Sequence, residues 1–124
     1  MSNALRPVWE RYVTAWKAGS PAEKRVIFGD CLSSACVYSD PLTVARGWDE
    51  LEAYMLAFNQ QLPGAHFVTE QFFAHHDRSV ARWTMRDARG VAIGDGISYA
   101  EYDAQQRLKT MTGFFEPPQG PPSA

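Results

Sequence analysis

Apolar residues recur at spacings of three and four at the start of the chain. Leu5, Val8, Trp9, Tyr12, Val13 and Trp16 keep the period of a helix that buries one face, and Gly19 ends the pattern. Ser20-Pro21-Ala22-Glu23 combines an N-cap serine, a proline at the first helical position and a glutamate where a capping box wants it. This predicts a second helix running to about Leu32. Residues 35–38 read as one short strand, stopped at Asp40-Pro41 because proline lacks the donor a ladder needs. A third helix follows Gly47, with Leu51, Tyr54, Met55, Phe58 and Leu62 as its apolar stripe and Pro63-Gly64 as its stop. From His66 onward the period changes to two, which predicts four strands over 66–75, 80–86, 91–102 and 108–115. The pieces between them are short and polar, as antiparallel hairpins require. Helices first and a meander afterwards give an α+β architecture, with the helices on one face of a curved antiparallel sheet.

Composition narrows this picture without changing it. A chain of 124 residues supplies one domain with a core and is too short for two; the domain is expected over 1–116. Residues 117–124 carry four prolines and no apolar anchor, so this tail is expected to be extended and mobile. A hydrophobic content of 45% with 21% charged residues lies outside the composition of disorder. The net charge of −2 and scattered arginines give no basic stripe, so nucleic acid is excluded as a partner. No window reaches the roughly 18 apolar residues of a membrane span, and Met-Ser-Asn-Ala-Leu-Arg lacks the basic and apolar regions of a signal peptide. The expected location is the cytoplasm. Cys31 and Cys36 fit neither a redox nor a zinc spacing, and both read as small core residues.

Strong catalytic motifs are absent: there is no glycine-rich phosphate loop and no helical HExxH. His75 and His76 are neighbours, and alternation along a strand sends neighbours to opposite faces, so they are not expected to close on one ion. The same alternation puts Ala81, Trp83 and Met85 on one apolar face and Arg82, Thr84 and Arg86 on the other. Gly94 and Gly96 flank Asp95 inside a strand, where glycine marks a bulge, a sharp bend or the close approach of something bulky, and they read as the bend that curves the sheet. A carboxylate held between them could face a cavity.

Tyr38-Ser39-Asp40-Pro41, Gly47 with the helix after it, Leu62-Pro63-Gly64 and Gly113-Phe114-Phe115-Glu116-Pro117 together resemble the nuclear transport factor 2-like superfamily. The arrangement is most similar to its SnoaL-like polyketide cyclases and ketosteroid isomerases, from Leu5 to Phe115. The resemblance implies a cone of three N-terminal helices packed on a curved antiparallel sheet around an apolar pocket. Carried over by position, Asp40 stands where the isomerases keep a general base, and Tyr12 where they place an oxyanion donor. Ser98 stands where they use a protonated aspartic acid, which puts steroid isomerisation in doubt.

Trp16, Tyr38, Phe58, Trp83, Asp95, Ser98 and Phe115 are the expected substrate-binding residues. The expected activity is proton transfer next to a carbonyl on a small apolar molecule, as in an isomerase or aldol-type cyclase, with no cofactor and no metal. The alternative is a non-catalytic ligand-binding or dimerisation module. In that case Asp40 only caps the turn before Pro41, and Tyr12 only fills the cone. A homodimer through the outer face of the sheet is expected with either.

Overall fold

A computed structural model describes residues 4–117; from Pro118 on, the proline-rich tail lies outside the described residues. The elements run α1 (Leu5–Thr14), α2 (Pro21–Cys31), β1 (Leu32–Asp40), β2 (Thr43–Arg46), α3 (Gly47–Gln61), β3 (His66–His75), β4 (Arg78–Arg86), β5 (Ala92–Tyr102) and β6 (Leu108–Phe114). The expected α+β class is observed.

Helix α1 buries Leu5, Trp9 and Tyr12 and stops at Thr14, so Trp16 sits in the turn beyond it, still buried. The predicted N-cap starts α2: Ser20 Oγ accepts the Glu23 N–H at 3.2 Å, and the Ser20 hydroxyl donates to Glu23 Oε1 at 3.2 Å, in place of the backbone N–H that a full capping box offers that glutamate. The buried face of α2 carries Lys24, Ile27, Phe28 and Cys31. Lys24 is fully buried, and its ammonium donates to the carbonyls of Ala15 at 2.8 Å and Ala18 at 2.7 Å. Those carbonyls belong to the turn after α1, where a helix end leaves acceptors without partners. Burial lowers the Lys24 pKa from its ordinary value, while Glu23 and Glu52 act against that shift. Helix α3 rests Leu51 and Met55 on the core.

The six strands form one sheet in the order β2-β1-β6-β5-β4-β3. The predicted meander β3-β4-β5-β6 is present, and β6 then pairs with β1 in parallel. Two features differ from expectation. Strand β1 begins at Leu32, directly after α2, because an irregularity between Leu32 and Val37 lets Ser34 and Ala35 lie exposed within it, which hides any apolar alternation there. Strand β2 adds a four-residue edge antiparallel to β1, with Asp40 opposite Thr43.

Gly96 explains part of the sheet's close packing. A Cβ on it would come within 2.4 Å of the Trp83 ring and 2.6 Å of the Phe114 carbonyl oxygen, so the close approach of a bulky group requires glycine there. The hairpin ends share one device, in which a leading aspartate caps its own turn. Asp87 Oδ1 accepts from the backbone of Arg89 and Val91, and Asp103 Oδ1 from that of Gln105 and Arg107. Register places Ala81, Ser98 and Gly113 in one row across the inner face, and Arg82, Ile97 and Phe114 on the outer one.

Candidate functional site

Asp40 closes β1 on the inner side of the sheet. The Tyr38 hydroxyl donates to its Oδ2 at 2.5 Å, the Tyr54 hydroxyl donates to the same oxygen at 2.9 Å, and the Leu42 N–H donates to Oδ1 at 2.8 Å. The predicted turn cap is therefore present, but it uses only one of the two oxygens. Three of the roughly four acceptor sites of a carboxylate are filled, and the remaining one is on Oδ1. Tyr38 reaches Asp40 because residues two apart on a strand share a face. Tyr54 reaches it from α3, whose inner stripe passes over the end of β1.

Burial lifts both phenols above the ordinary tyrosine range. The neighbouring Tyr12 and the Asp40 charge add to this at Tyr38, and the Asp40 hydrogen bond and charge add to it at Tyr54. Both remain hydrogen-bond donors at neutral pH. Gly113 forms the floor beside them: a Cβ there would stand 3.6 Å from Asp40 Cβ and 3.8 Å from both Ser98 Oγ and the Tyr38 hydroxyl. Ser98 Oγ in turn accepts the Trp83 indole N–H at 3.0 Å, leaving the serine hydrogen free to donate.

The other expected residues fall into three positions. Trp16 packs against Tyr38, Tyr54, Phe58 and Phe67 with ring centroids 5.4–6.0 Å apart. Phe67 continues this to Trp83 at 5.1 Å, and Trp83 to Phe115 at 6.2 Å. Trp16, Tyr38, Phe58, Trp83 and Phe115 thus belong to one aromatic chain in which Phe67 is the link. Tyr12 is buried beside Trp9 at 5.2 Å, within electrostatic reach of Asp40 and Tyr38; burial raises its pKa far more than the Trp16 hydrogen bond lowers it, and the Asp40 charge adds to the rise. Among the described residues no hydrogen bond joins Tyr12 to Asp40. Asp95 is exposed on the outer face, opposite Thr84. Asp95 and Ser98 are three apart on a strand, so alternation alone sends them to opposite faces.

Trp16 and Tyr38 belong to the buried core, and Phe58 and Phe67 pack against it. Of two clefts among the described residues, one of about 260 Å³ lies along Glu70, Arg82, Trp83 and Asp95. The other, of about 360 Å³, lies beside Ser33, Trp48 and Arg107. Neither borders Asp40.

Cys31 and Cys36 are buried and free, as expected. Burial pushes their thiols up to about 12 and about 11, so neither is a thiolate nucleophile at neutral pH. Among the described residues no three histidine, cysteine or acidic side chains gather as metal ligands, and no helix is long and apolar enough to cross a membrane. The expectation for the two histidines needs correcting. His76 leaves the strand with φ 52°, so the alternation argument does not apply to it, and its ring turns back to meet His75.

Residues 9–111 match the family model of the SnoaL-like domain. No curated protein matches the chain in sequence. Among solved structures, it is similar to a protein of the SnoaL-like family from Agrobacterium tumefaciens, named as a candidate isomerase. That match has a TM-score of 0.82 at 22% identity, over 89% of this chain and 95% of that one. It is also similar to a cystatin-like-fold protein of unknown function from Methylobium petroleophilum, with a TM-score of 0.76 at 16% identity over 100% and 83% of the two chains. A de novo designed protein with a curved β-sheet matches with a TM-score of 0.72 at 14% identity, over 94% and 89%. At these identities the likeness concerns the fold.

Proposed function

The chain belongs to the SnoaL-like domain family, and from that premise we propose that it is a small-molecule enzyme moving a proton next to a carbonyl, with Asp40 as the base. One arrangement carries the reading: a half-buried carboxylate at the inner end of β1, oriented by two tyrosine hydroxyls on one oxygen and by a backbone N–H on the other. A turn cap needs only the last of these. Two phenols aimed at one oxygen fix the carboxylate's plane and leave a single lone pair, on Oδ1, to accept a proton from carbon.

Tyr38 and Tyr54 are positioning residues in this scheme. Ser98, with its oxygen already engaged by Trp83, is the available donor to a substrate oxygen; Tyr12 is left to the core. Substrate reaches Asp40 when the Trp16, Phe58 and Phe67 rings move aside, and aromatic walls suit a flat apolar molecule. The similarity to a protein named as an isomerase is consistent with this chemistry.

The test is exchange of α-protons in deuterated water, followed by NMR over a panel of cyclic ketones and enones. Wild type is expected to exchange at least one of them, and Asp40→Asn to slow that exchange about 10²-fold or more, the usual contribution of a positioned base. Equal exchange by Asp40→Asn and wild type removes the assignment.

A second reading has its own observation, and the two are compatible. Val68, Phe73, Val80, Ile97 and Phe114 lie on the outer face of four adjoining strands, with Phe73 63% and Phe114 58% exposed. We propose that this face pairs with a second copy of the chain. Sedimentation should give twice the 13.9 kDa monomer mass, and Phe73→Glu should return the monomer. A wild type that stays monomeric at micromolar concentration rejects the pairing.

A further inference from the structure

The hairpin that joins β3 to β4 lies at the sheet edge opposite β2, four strands from β1, and plays no part in the Asp40 site. His75 is the last residue of β3 and His76 the first of the turn. With φ at 52°, His76 breaks the strand's alternation, and the two side chains converge where a continuous strand would part them. Their Nδ1 atoms are 2.9 Å apart, and their rings are nearly perpendicular, at 89°. Both residues are exposed. Neither ring has another hydrogen bond among the described residues. The turn itself is pinned from outside, since the Tyr102 N–H donates to the Asp77 carbonyl at 2.9 Å.

We propose that His75 and His76 form a two-nitrogen chelate for Cu(II). Imidazole nitrogens bind first-row metals at about 2.0–2.1 Å. Two such donors at a right angle stand about 2.9 Å apart, whereas a tetrahedral angle needs about 3.3–3.4 Å. The observed 2.9 Å is the length of the hydrogen bond between the rings, and it leaves both donors within a small ring rotation of the cis spacing of a tetragonal metal, the geometry that imidazole-bound Cu(II) takes.

As the structure stands, one Nδ1 donates its hydrogen to the other. Binding requires that ring to take its other neutral tautomer, with the hydrogen on Nε2, so no net proton is lost. It also requires both rings to turn about their last side-chain torsion, which is broad for histidine. Both lone pairs then meet at one point on the solvent side. Water supplies the remaining positions, since among the described residues no third histidine, cysteine or acidic side chain gathers with the two. Arg78, opposite His75 in the ladder, is a nearby cation that opposes binding, weakly because it is exposed.

Titrating tag-free protein with copper(II) chloride, by calorimetry and by electron paramagnetic resonance, tests the site. Expected are one ion per chain and a tetragonal spectrum with coupling from two imidazole nitrogens. His75→Ala and His76→Asn should each weaken binding at least tenfold. Asparagine is used at 76 because it tolerates left-handed backbone, so the turn survives the loss of the ligand; matching circular dichroism and melting would show that it does. His66, whose ring stands beside the Gly64 carbonyl, supplies the control, and His66→Ala should bind copper as wild type does. Absence of binding in wild type, coupling from a single nitrogen, or full-strength binding in His76→Asn would each overturn the proposal.

Discussion

Lys24→Met is the most informative test of how the helices are held. The substitution keeps an unbranched apolar stem in a fully buried position and deletes an ammonium that bonds the Ala15 and Ala18 carbonyls. A hydrogen bond to a charged group contributes about 1.5–3 kcal/mol, and each buried acceptor left without a partner costs about 1–3 kcal/mol. Against this, the variant no longer desolvates a cation, which costs several kcal/mol in a protein interior. The two effects leave a net destabilisation of about 2–4 kcal/mol. For a domain of 124 residues, at roughly 4 °C per kcal/mol, the melting temperature should fall by about 8–16 °C. Urea unfolding gives the free energy directly, and hydrogen exchange should localise the loosening to the turn between α1 and α2. A change within about 0.5 kcal/mol, the usual range for a surface position, would show that the ammonium does not hold that turn.

Three further outcomes follow from the packing and the site. Gly96→Ala drives a methyl into the Trp83 ring and the β6 backbone and should cost about 1–3 kcal/mol or more, read by chemical denaturation; wild-type stability would mean the strands there are not so tightly apposed. Tyr38→Phe and Tyr54→Phe should each lower α-proton exchange while leaving the circular dichroism spectrum unchanged, and wild-type rates in both would remove the phenols from the mechanism. Burial holds Tyr12, Tyr38 and Tyr54 above the ordinary value of 10 and Tyr102 at about 12. An acid whose folded pKa is raised contributes stability that is complete below pH 10 and is lost as pH climbs through the folded value. Alkaline titration should therefore show these four ionising only as circular dichroism is lost, and all five tyrosines ionising in a folded chain would contradict it.

What was legible in the sequence was whatever depends on short-range periodicity. Ser20 and Glu23 announce the start of α2, and the alternation from His66 to Phe114 gives the meander almost to the residue. Strand β2 stayed hidden because Thr43-Val44-Ala45-Arg46 is too short to show a period and exists only by pairing with β1. Asp40 stands out as a candidate base through the family resemblance, and as a turn cap through the proline after it. Its partner Tyr54 does not, because a tyrosine in an apolar helical stripe looks the same whether its hydroxyl meets a carboxylate or water. Phe67 was read as strand without being read as site. Lys24 occupies the first place of a 24, 27, 28, 31 stripe, where a lysine masks the pattern that would have marked it as buried. The convergence of His75 and His76 depends on a left-handed residue in a turn, a backbone choice that side-chain type does not encode for histidine.

Among the described residues the last strand, β6, is not at the edge of the sheet. Val37 pairs with Thr110, and β6 lies between β1 and β5, so the helices with β1 and β2 form one half, the β3-β4-β5 meander the other, and β6 joins them. During synthesis the first half is made early, with β2 on one edge of β1, yet the other edge of β1 has no strand until residues 108–114 emerge. Closing so long a loop is entropically unfavourable, and non-local pairing of this kind slows folding. The nascent chain must therefore carry an open β1 edge until residues 108–114 have been made, and a product truncated before Leu108 would keep that edge, a template for pairing with other chains.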